Sequence, residues 1–147
     1  MFQHILSGAL VSAFLVSLPV YAQDLRGGTF KSLQGTVVVQ NDKEHHVAKP
    51  GEALQPGQRI STGPQDAASV VLRDGTALVI GPGSSVALTQ FEYDPVTHAG
   101  GLLVDLYNGS MRMISGWMGK ARPEAVKVRT PYAMTGIRGT DFIVEAN

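Results

Sequence analysis

After residue 34 the chain alternates between short β-branched stretches and turn-forming residues, and this pattern constrains the fold most strongly. Lys49-Pro50-Gly51 and Gln55-Pro56-Gly57 are turns of this kind, because proline sets φ and glycine accepts positive φ. No segment carries an apolar stripe at helical spacing that is long enough to predict a helix. About ten short, mostly antiparallel strands separated by frequent turns predict an all-β fold, as a sandwich, a barrel or a solenoid-like roll.

The first of two predicted hairpins turns at Asp74-Gly75, a dipeptide that takes positive φ readily. It would join residues 68–73 to residues 76–80, and pairing outward from the turn places Val71 opposite Leu78. Both faces of this hairpin are largely apolar, so we expect it to be buried on both sides.

The second predicted hairpin turns at Asn108-Gly109, the strongest short hairpin signal. It would join residues 102–107 to residues 110–114 and place Asp105 opposite Arg112 as a cross-strand ion pair. One face of this hairpin is apolar and the other polar, so a slip of one residue would turn charges into the core. The register is therefore expected to be well specified.

Residues 1–22 have the pattern of a signal peptide. The run Ile5 to Val20 carries no charge, is too short for a confident transmembrane helix, and leads to Val20-Tyr21-Ala22, which fits the small-residue rule for cleavage. The alternative is an uncleaved anchor, since no Lys or Arg precedes the apolar run. We predict an exported protein, periplasmic or extracellular, with a linker over residues 23–34 and a β domain over residues 35–147.

Charge and cysteine content argue against several function classes. The chain of 147 residues has 12 basic and 12 acidic residues, scattered rather than clustered, which argues against nucleic acid or an anionic membrane surface as a partner. Hydrophobic content of 44% with 16% charged residues is typical of a folded domain. The absence of cysteine excludes disulfides, thiolate metal sites and a cysteine nucleophile.

Neither catalysis nor metal binding is indicated by a motif. The glycine-rich stretch from Gly81 to Ser85 lacks the lysine and the following helix that a phosphate-binding loop needs. His45 and His46 are adjacent, so on a strand they face opposite sides, and His98 is far along the chain. We expect no cofactor, no metal and no enzymatic activity; a hydrolase would need a carboxylate pair that no motif places.

The candidate partner contacts are Trp117, Met118 and Tyr107. Trp117 and Met118 are flanked by glycines in the segment 115–124, which we predict to be a mobile loop. An exposed aromatic of this kind can anchor a partner. The alternative is that Trp117 folds back as a lid on the core, because large aromatics are mostly buried.

Three motifs, in order, carry a resemblance to a known family. They are Leu54-x-x-Gly57-x-x-Ile60-x-Thr62-Gly63, then Ala67-x-x-Val70-x-Leu72-x-Asp74-Gly75-Thr76-x-Leu78-x-Ile80-x-Pro82-x-Ser84, and last Val128-x-Thr130-Pro131-x-Ala133-x-x-Gly136-x-Arg138-Gly139-Thr140-x-Phe142-x-Val144. Together they resemble the FecR domain, named after the iron-citrate transport regulator. The resemblance extends from about Gly35 to the last residue.

The resemblance implies an extracytoplasmic all-β domain. In the full-length regulators this domain follows a cytoplasmic anti-sigma segment and one transmembrane helix, and senses an outer-membrane TonB-dependent receptor. We expect this chain to be a free-standing exported form without those two segments, truncated at its C-terminus so that a sheet edge is open.

The last motif is interpreted as structural rather than ligand-binding. Its members are Thr130, Pro131, Gly136, Arg138, Gly139, Thr140 and Phe142. Gly136 and Gly139 are expected to allow positive φ or close backbone approach. Arg138 is expected to donate to the carbonyls that such a turn exposes; the alternative is a clamp on a carboxylate or phosphate.

Taken with the resemblance, these patterns predict a non-catalytic interaction module of the cell envelope, with a role in envelope signalling or iron-uptake regulation. The expected partner is an envelope protein, either a receptor or a membrane regulator. The alternative is a module that binds carbohydrate or peptidoglycan, which exposure of Trp117 and Tyr107 on one face would favour.

Arg138→Ala is expected to lower the free energy of unfolding by about 1–3 kcal/mol, because turn carbonyls would lose their donor. Urea unfolding of the variant and the parent measures this difference. A variant as stable as the parent would contradict the structural interpretation of the motif.

Overall fold

The computed structural model describes residues 17–19, 24–137 and 139–147, and within these residues the chain is almost entirely β-structure. The strands are β1 (Gly28–Gln34), β2 (Val37–Gln40), β3 (His45–Val47), β4 (Ala53–Leu54), β5 (Arg59–Thr62), β6 (Ala67–Leu72), β7 (Ala77–Ile80), β8 (Ser85–Tyr93), β9 (Gly100–Ile114), β10 (Val126–Arg129), β11 (Met134–Gly136) and β12 (Asp141–Ala146). A short helix, α1 (Trp117–Ala121), and a 3₁₀ turn, Pro123–Ala125, follow β9.

All the described strands belong to one sheet that curls into a half-barrel. Its main path runs β3-β2-β5-β8-β9-β7-β6-β1-β4, while β10 and β12 pair with β9, and β11 pairs with β10. Pairing is antiparallel except between β9 and β10. The predicted all-β, mostly antiparallel fold is confirmed, and the curled sheet is its architecture.

β9 is one continuous strand, so the prediction of a hairpin at Asn108-Gly109 is wrong. Its first part pairs with β8 and β10, and its second part pairs with β7 and β12. Gly109 has φ +90°, and the register with β8 shifts next to Ser85, so the dipeptide forms an irregularity within the strand rather than a reversal. This lets a single strand serve both parts of the curled sheet.

The ion pair predicted between Asp105 and Arg112 does not form, because both residues lie on the same continuous strand. Asp105 pairs instead with Arg129 of β10, the parallel neighbour. Arg112 pairs with Asp141 of β12, with its Nε and Nη2 atoms 2.8 and 2.6 Å from the two carboxylate oxygens. Both charges are paired, but not with each other, so the predicted cross-strand pair is wrong.

The hairpin of β6 and β7 is present, but its predicted register is wrong by one residue. Val71 lies opposite Ala77, not Leu78, because the connection is a three-residue loop, Arg73 to Gly75, with Gly75 at φ +85°. Burial alternates along β6, and Val79 of β7 is 39% exposed. The hairpin is therefore buried on one face, and the expectation of burial on both faces is wrong.

The proposed linker over residues 23–34 contains a core strand, so that boundary needs correction. β1 pairs with β6 along most of its length and also with β4. Phe30 of β1 is only 1% exposed. The polar residues Lys31, Ser32 and Gln34 hide this strand in the sequence, because a bulge between Phe30 and Ser32 interrupts its alternation.

The core lies on the concave side of the curled sheet and consists of side chains from most of its strands and from α1. Its largest fully buried members are Phe30, Leu54, Ile60, Leu72, Leu78, Ile80, Leu88, Leu106, Met111, Met113 and Met118. Met118 comes from α1, so the segment predicted as a mobile loop over residues 115–124 is instead a helix and a 3₁₀ turn.

No helix among the described residues is long and apolar enough to cross a membrane. The predicted signal peptide, residues 1–22, lies outside the described residues apart from residues 17–19.

Gly109→Ala is expected to destabilise the fold by about 2–5 kcal/mol, because a residue with a Cβ is strained in the left-handed conformation and because the added methyl group would overlap its neighbours. An added Cβ would lie 2.6 Å from Cα of Ser84, which is backbone and cannot rotate away. Urea unfolding followed by circular dichroism measures the change.

Gly136→Ala is the matched control for this substitution. Gly136 has no positive φ, and among the described residues no heavy atom lies within 4 Å of an added Cβ. We expect a change of less than about 1 kcal/mol, since only unfolded-chain entropy changes. Equal effects of the two substitutions would show that the irregularity at Gly109 does not require glycine.

Candidate functional site

Two of the three predicted contact residues are exposed and one is not. Trp117 is 59% exposed and Tyr107 is 42% exposed, whereas Met118 is 0% exposed. The expectation that Met118 contacts a partner is wrong, because neighbouring residues of a helix lie about 100° apart around its axis, and the side chain of Met118 packs into the core while Trp117 remains exposed.

The turn between β6 and β7 holds α1 in place. The carbonyl of Asp74 accepts the backbone N–H of Trp117 at 2.8 Å, and the buried Asp74 carboxylate accepts both the N–H and the hydroxyl of Thr76. The hydroxyl of Thr76 accepts the N–H of Gly116 at 3.1 Å. A Cβ on Gly116 would lie 2.7 Å from the carbonyl carbon of Gly75, so only glycine permits this approach. The backbone that presents Trp117 is thus firmly anchored.

An aromatic row, formed by Phe91, Tyr93, His98 and Trp117, runs from the core to the surface. The ring centroids are 6.5 Å apart for Phe91 and Tyr93, 6.1 Å for Tyr93 and His98, and 5.1 Å for His98 and Trp117. All three pairs are tilted, at distances where aromatic rings attract each other. The row therefore restrains the exposed indole as well as its backbone.

The loop after β8 positions His98 within this row. The carboxylate of Asp94 accepts the N–H groups of Val96 and Thr97, and these bonds, the one from Val96 foremost, lower the pKa of Asp94. His98 has φ +59°, a left-handed conformation that is uncommon outside glycine. Such a conformation persists where surrounding contacts compensate for it, here the loop hydrogen bonds and the two neighbouring rings.

An open groove of about 710 Å³ lies beside the inner end of the aromatic row. Its lining includes Phe91, Glu92, Tyr93 and Asp94 as well as Arg73. The guanidinium of Arg73 lies 5.4 Å from the ring centroid of Phe91. The groove thus combines apolar rings with charged groups of both signs, a mixture suited to a polar ligand or a protein surface.

Tyr107 lies on a different surface, the convex face of the sheet. It borders a hollow of about 290 Å³ that we name the Arg59 depression, lined by Gln40, Asn41, Asp42, Gly57, Arg59, Ala87, Thr89 and Tyr107. No residue of the aromatic row lines it. The two exposed aromatic residues predicted as contacts therefore belong to separate surfaces.

Arg59 is oriented by two contacts in this depression. Its Nε atom donates to Oγ of Ser85 at 2.5 Å, and its guanidinium lies 4.0 Å from the ring centroid of Tyr107. Within the part of the chain that the structure describes, it forms no ion pair, and its terminal nitrogens donate no hydrogen bond. Sequence reasoning missed this site because Ser85 and Tyr107 are far from Arg59 along the chain.

Next to the depression, the carboxylate of Asp105 is buried and fully engaged. Asp105 is 4% exposed and accepts two hydrogen bonds from Arg129 and one from Thr89. Hydrogen bonding from Arg129 is the main cause that lowers the pKa of Asp105. Register places Arg59, Ala87, Asp105 and Arg129 in one row across four strands, so the depression and the ion pair share one face.

The C-terminal motif residues lie mainly in turns and in edge strands. Thr130 closes a turn, since its N–H donates to the carbonyl of Ala133 at 2.8 Å and its hydroxyl accepts from Tyr132 and Ala133. The carbonyl of Thr140 accepts the N–H of Ser115 and so joins the motif to the segment between β9 and α1.

The remaining residues of the C-terminal motif differ in backbone conformation and in burial. Gly139 has φ +88°, as expected for this glycine, whereas Gly136 lies in β11 without positive φ or a close neighbour among the described residues. Pro131 is exposed, and Phe142 packs partly against the core. Arg138 lies outside the described residues, so its predicted role as a turn donor stays a prediction.

Across residues 17–19, 24–137 and 139–147, no cluster of three or more His, Cys, Asp or Glu side chains could hold a metal ion. His46 instead contacts the carboxylate of Glu52, with 2.5 Å between Nε2 and Oε1.

Comparison with protein families adds the deciding observation, a match of residues 58–147 to the family described as FecR protein. The chain belongs to the FecR family. No match was found among curated proteins or among solved structures. The FecR match includes the whole aromatic row and Arg59, but β1 to β4 precede it. Because β1 pairs with β6 and β2 with β5, the FecR fold of this chain extends beyond the matched residues.

Arg129→Gln is expected to lower the free energy of unfolding by about 1–3 kcal/mol near neutral pH, because the buried Asp105 carboxylate loses its charged donor. Arg112→Gln is the control: both partners of the Arg112–Asp141 pair are about half exposed, so we expect about 0–1 kcal/mol. Urea unfolding of both variants tests this. Equal losses would show that burial of Asp105 does not distinguish the two pairs.

The stability difference between the parent and Arg129→Gln should also depend on pH. A carboxyl whose pKa is lowered in the folded state stabilises the fold above its unfolded pKa, and this contribution is lost as pH falls through the folded pKa. The ordinary value for Asp105 is 3.8, so the difference should be full at about pH 6 and shrink below about pH 4. Urea titrations across this range measure it, and a constant difference would contradict the assigned role of Arg129.

Proposed function

We propose that this FecR-family protein is an exported, non-catalytic interaction module of the cell envelope that binds a partner protein through Trp117. The observation that carries this proposal is the exposed indole at the end of the aromatic row, which is 59% exposed although its backbone and its neighbouring ring are fixed. A rigid, exposed aromatic loses little entropy on binding, and tryptophan is enriched among residues that dominate interfaces.

Family membership supports the envelope part of the proposal. A FecR domain suggests a module of envelope signalling. The expected partner is an outer-membrane TonB-dependent receptor or a membrane regulator, as the full-length regulators of this family imply. The signalling role would then consist of binding, with any further step performed by the partner.

Trp117→Ala is expected to abolish capture of the partner while changing the melting temperature by no more than a few degrees. The exposed side chain contributes contact area to a partner but little to the core, and surface substitutions usually change stability by less than about 0.5 kcal/mol. The measurement is cross-linked affinity capture of the tagged protein from the native envelope, read by mass spectrometry, together with thermal melts.

Met118→Ala provides the matched control on the adjacent residue. Met118 is fully buried, so its truncation should cost about 2–5 kcal/mol while leaving the indole exposed. Below its melting temperature, this variant should still capture the partner. A receptor or regulator captured equally by the Trp117→Ala variant would reject the proposed surface, and a large loss of stability in that variant would identify Trp117 as a core residue.

A carbohydrate- or peptidoglycan-binding module is the second candidate function, favoured by the groove beside the aromatic row. Aromatic rings next to carboxylates, here Tyr93 with Glu92 and Asp94, can stack on a sugar and accept its hydroxyl protons. Co-sedimentation of the purified protein with peptidoglycan tests this alternative. Retention in the pellet that Tyr93→Ala removes would favour glycan binding, and the absence of pelleting would remove it.

A further inference from the structure

We propose that the Arg59 depression is a carboxylate-binding site. This goes beyond the proposed function, because the depression shares no lining residue with the aromatic row. Carboxylate binding at this site can therefore be tested independently of partner binding through Trp117.

Two contacts hold the guanidinium of Arg59 in place for a ligand. Ser85 accepts its Nε proton, and the ring of Tyr107 supports one face of its plane at 4.0 Å. These contacts leave the terminal nitrogens without an acceptor among the described residues, although Arg59 lines the hollow. Two such nitrogens form a planar fork that matches the two oxygens of a carboxylate.

The hollow beside Arg59 has room for a small ligand. Ala87 lies beside Arg59 in register on the neighbouring strand β8, and its small side chain lines the hollow. A volume of about 290 Å³ accommodates a carboxylate with a short aliphatic stem but is small for a folded element. A larger residue at position 87 would fill the space that such a stem needs.

The charges of the row Arg59, Ala87, Asp105 and Arg129 do not balance on this face. The row across the sheet holds two guanidiniums, Arg59 and Arg129, but only one buried carboxylate, Asp105, which Arg129 and Thr89 already engage. The charge of Arg59 is therefore not neutralised within the row, and it would attract a single anionic group.

Neutral amide groups on the other wall complete the site. The Oδ1 atom of Asn41 accepts the backbone N–H groups of Lys43 and Glu44, which directs its amide nitrogen elsewhere. Among the described residues this nitrogen has no acceptor, and both Asn41 and Gln40 line the hollow. Asp42, on the same turn, is the one carboxylate of the lining and would repel a bound anion.

Nuclear magnetic resonance of the ¹⁵N-labelled protein tests the proposal, because the Nε–H signal of Arg59 reports directly on its guanidinium. The probes are the acetylated and amidated peptide of three glutamates, its glutamine counterpart, and sodium succinate. We expect the glutamate peptide to shift the Arg59 signal saturably at low ionic strength and the glutamine peptide to leave it unchanged. A similar shift with succinate would identify small free carboxylates as sufficient, whereas a response to the peptide alone would indicate an acidic segment.

Four substitutions sharpen this test. Arg59→Gln lacks the reporting Nε–H, so its binding is followed by the backbone amide signals of the Arg59 depression; it should bind the glutamate peptide about tenfold or more weakly, as expected for losing one charge-assisted contact. Tyr107→Ala should also weaken binding, because it removes the ring that lies against the guanidinium, and it tests the proposal even if Arg59→Gln does not fold. Asp42→Asn should tighten binding about twofold by removing repulsion. Arg112→Gln is the matched control and should leave binding unchanged, because Arg112 is already paired with Asp141.

Three results would overturn the proposal. They are no shift of the Arg59 signal at millimolar glutamate peptide, an equal shift with the glutamine peptide, and an equal loss of binding in the Arg112→Gln control. The first would show that the fork does not bind carboxylates, and the other two would show that the response is not specific to charge or to this arginine.

Discussion

The structure depends on one strand, β9, continuing through a dipeptide that normally reverses a chain. Gly109 adopts φ +90° within this strand and packs against Ser84, so β9 passes from the neighbours β8 and β10 to the neighbours β7 and β12 without ending. Because one strand contributes hydrogen bonds to both parts of the sheet, the two parts share a single core. A reversal at this point would instead have produced an isolated hairpin and divided the fold.

The same continuity determines where the charged groups of the convex face lie. Asp105 can meet Arg129 only because β10 runs parallel beside the first part of β9, and Arg112 meets Asp141 because β12 runs beside the second part. Asp105 is buried, whereas both partners of the Arg112–Asp141 pair are exposed. The Asp105–Arg129 pair should therefore contribute more to the free energy of unfolding than the exposed pair does. Pairing Asp105 in this way leaves Arg59 as the cation of the row without a carboxylate.

The two candidate surfaces therefore arise from different structural causes and have different chemistry. The aromatic row results from local anchoring of α1 on the buried turn around Asp74 and of His98 in its loop, and it presents apolar area that suits a protein partner. The Arg59 depression results from register across the sheet, and it presents directed charge. In interfaces that combine the two, aromatic anchors contribute most of the affinity and charges contribute orientation and specificity.

The all-β class, the mostly antiparallel pairing, the FecR family, and the choice of Trp117 and Tyr107 as candidate contacts followed from the amino-acid sequence alone. Turn residues and β-branched stretches limit the local backbone strongly enough for that. Contacts between distant parts of the chain were needed to establish that Asn108-Gly109 is an irregularity within a strand, that Met118 is core while Trp117 is exposed, and that Arg59 lies against Tyr107. A positive φ at a glycine is compatible with both a reversal and a bulge, and hydrogen bonding to distant strands selects between them.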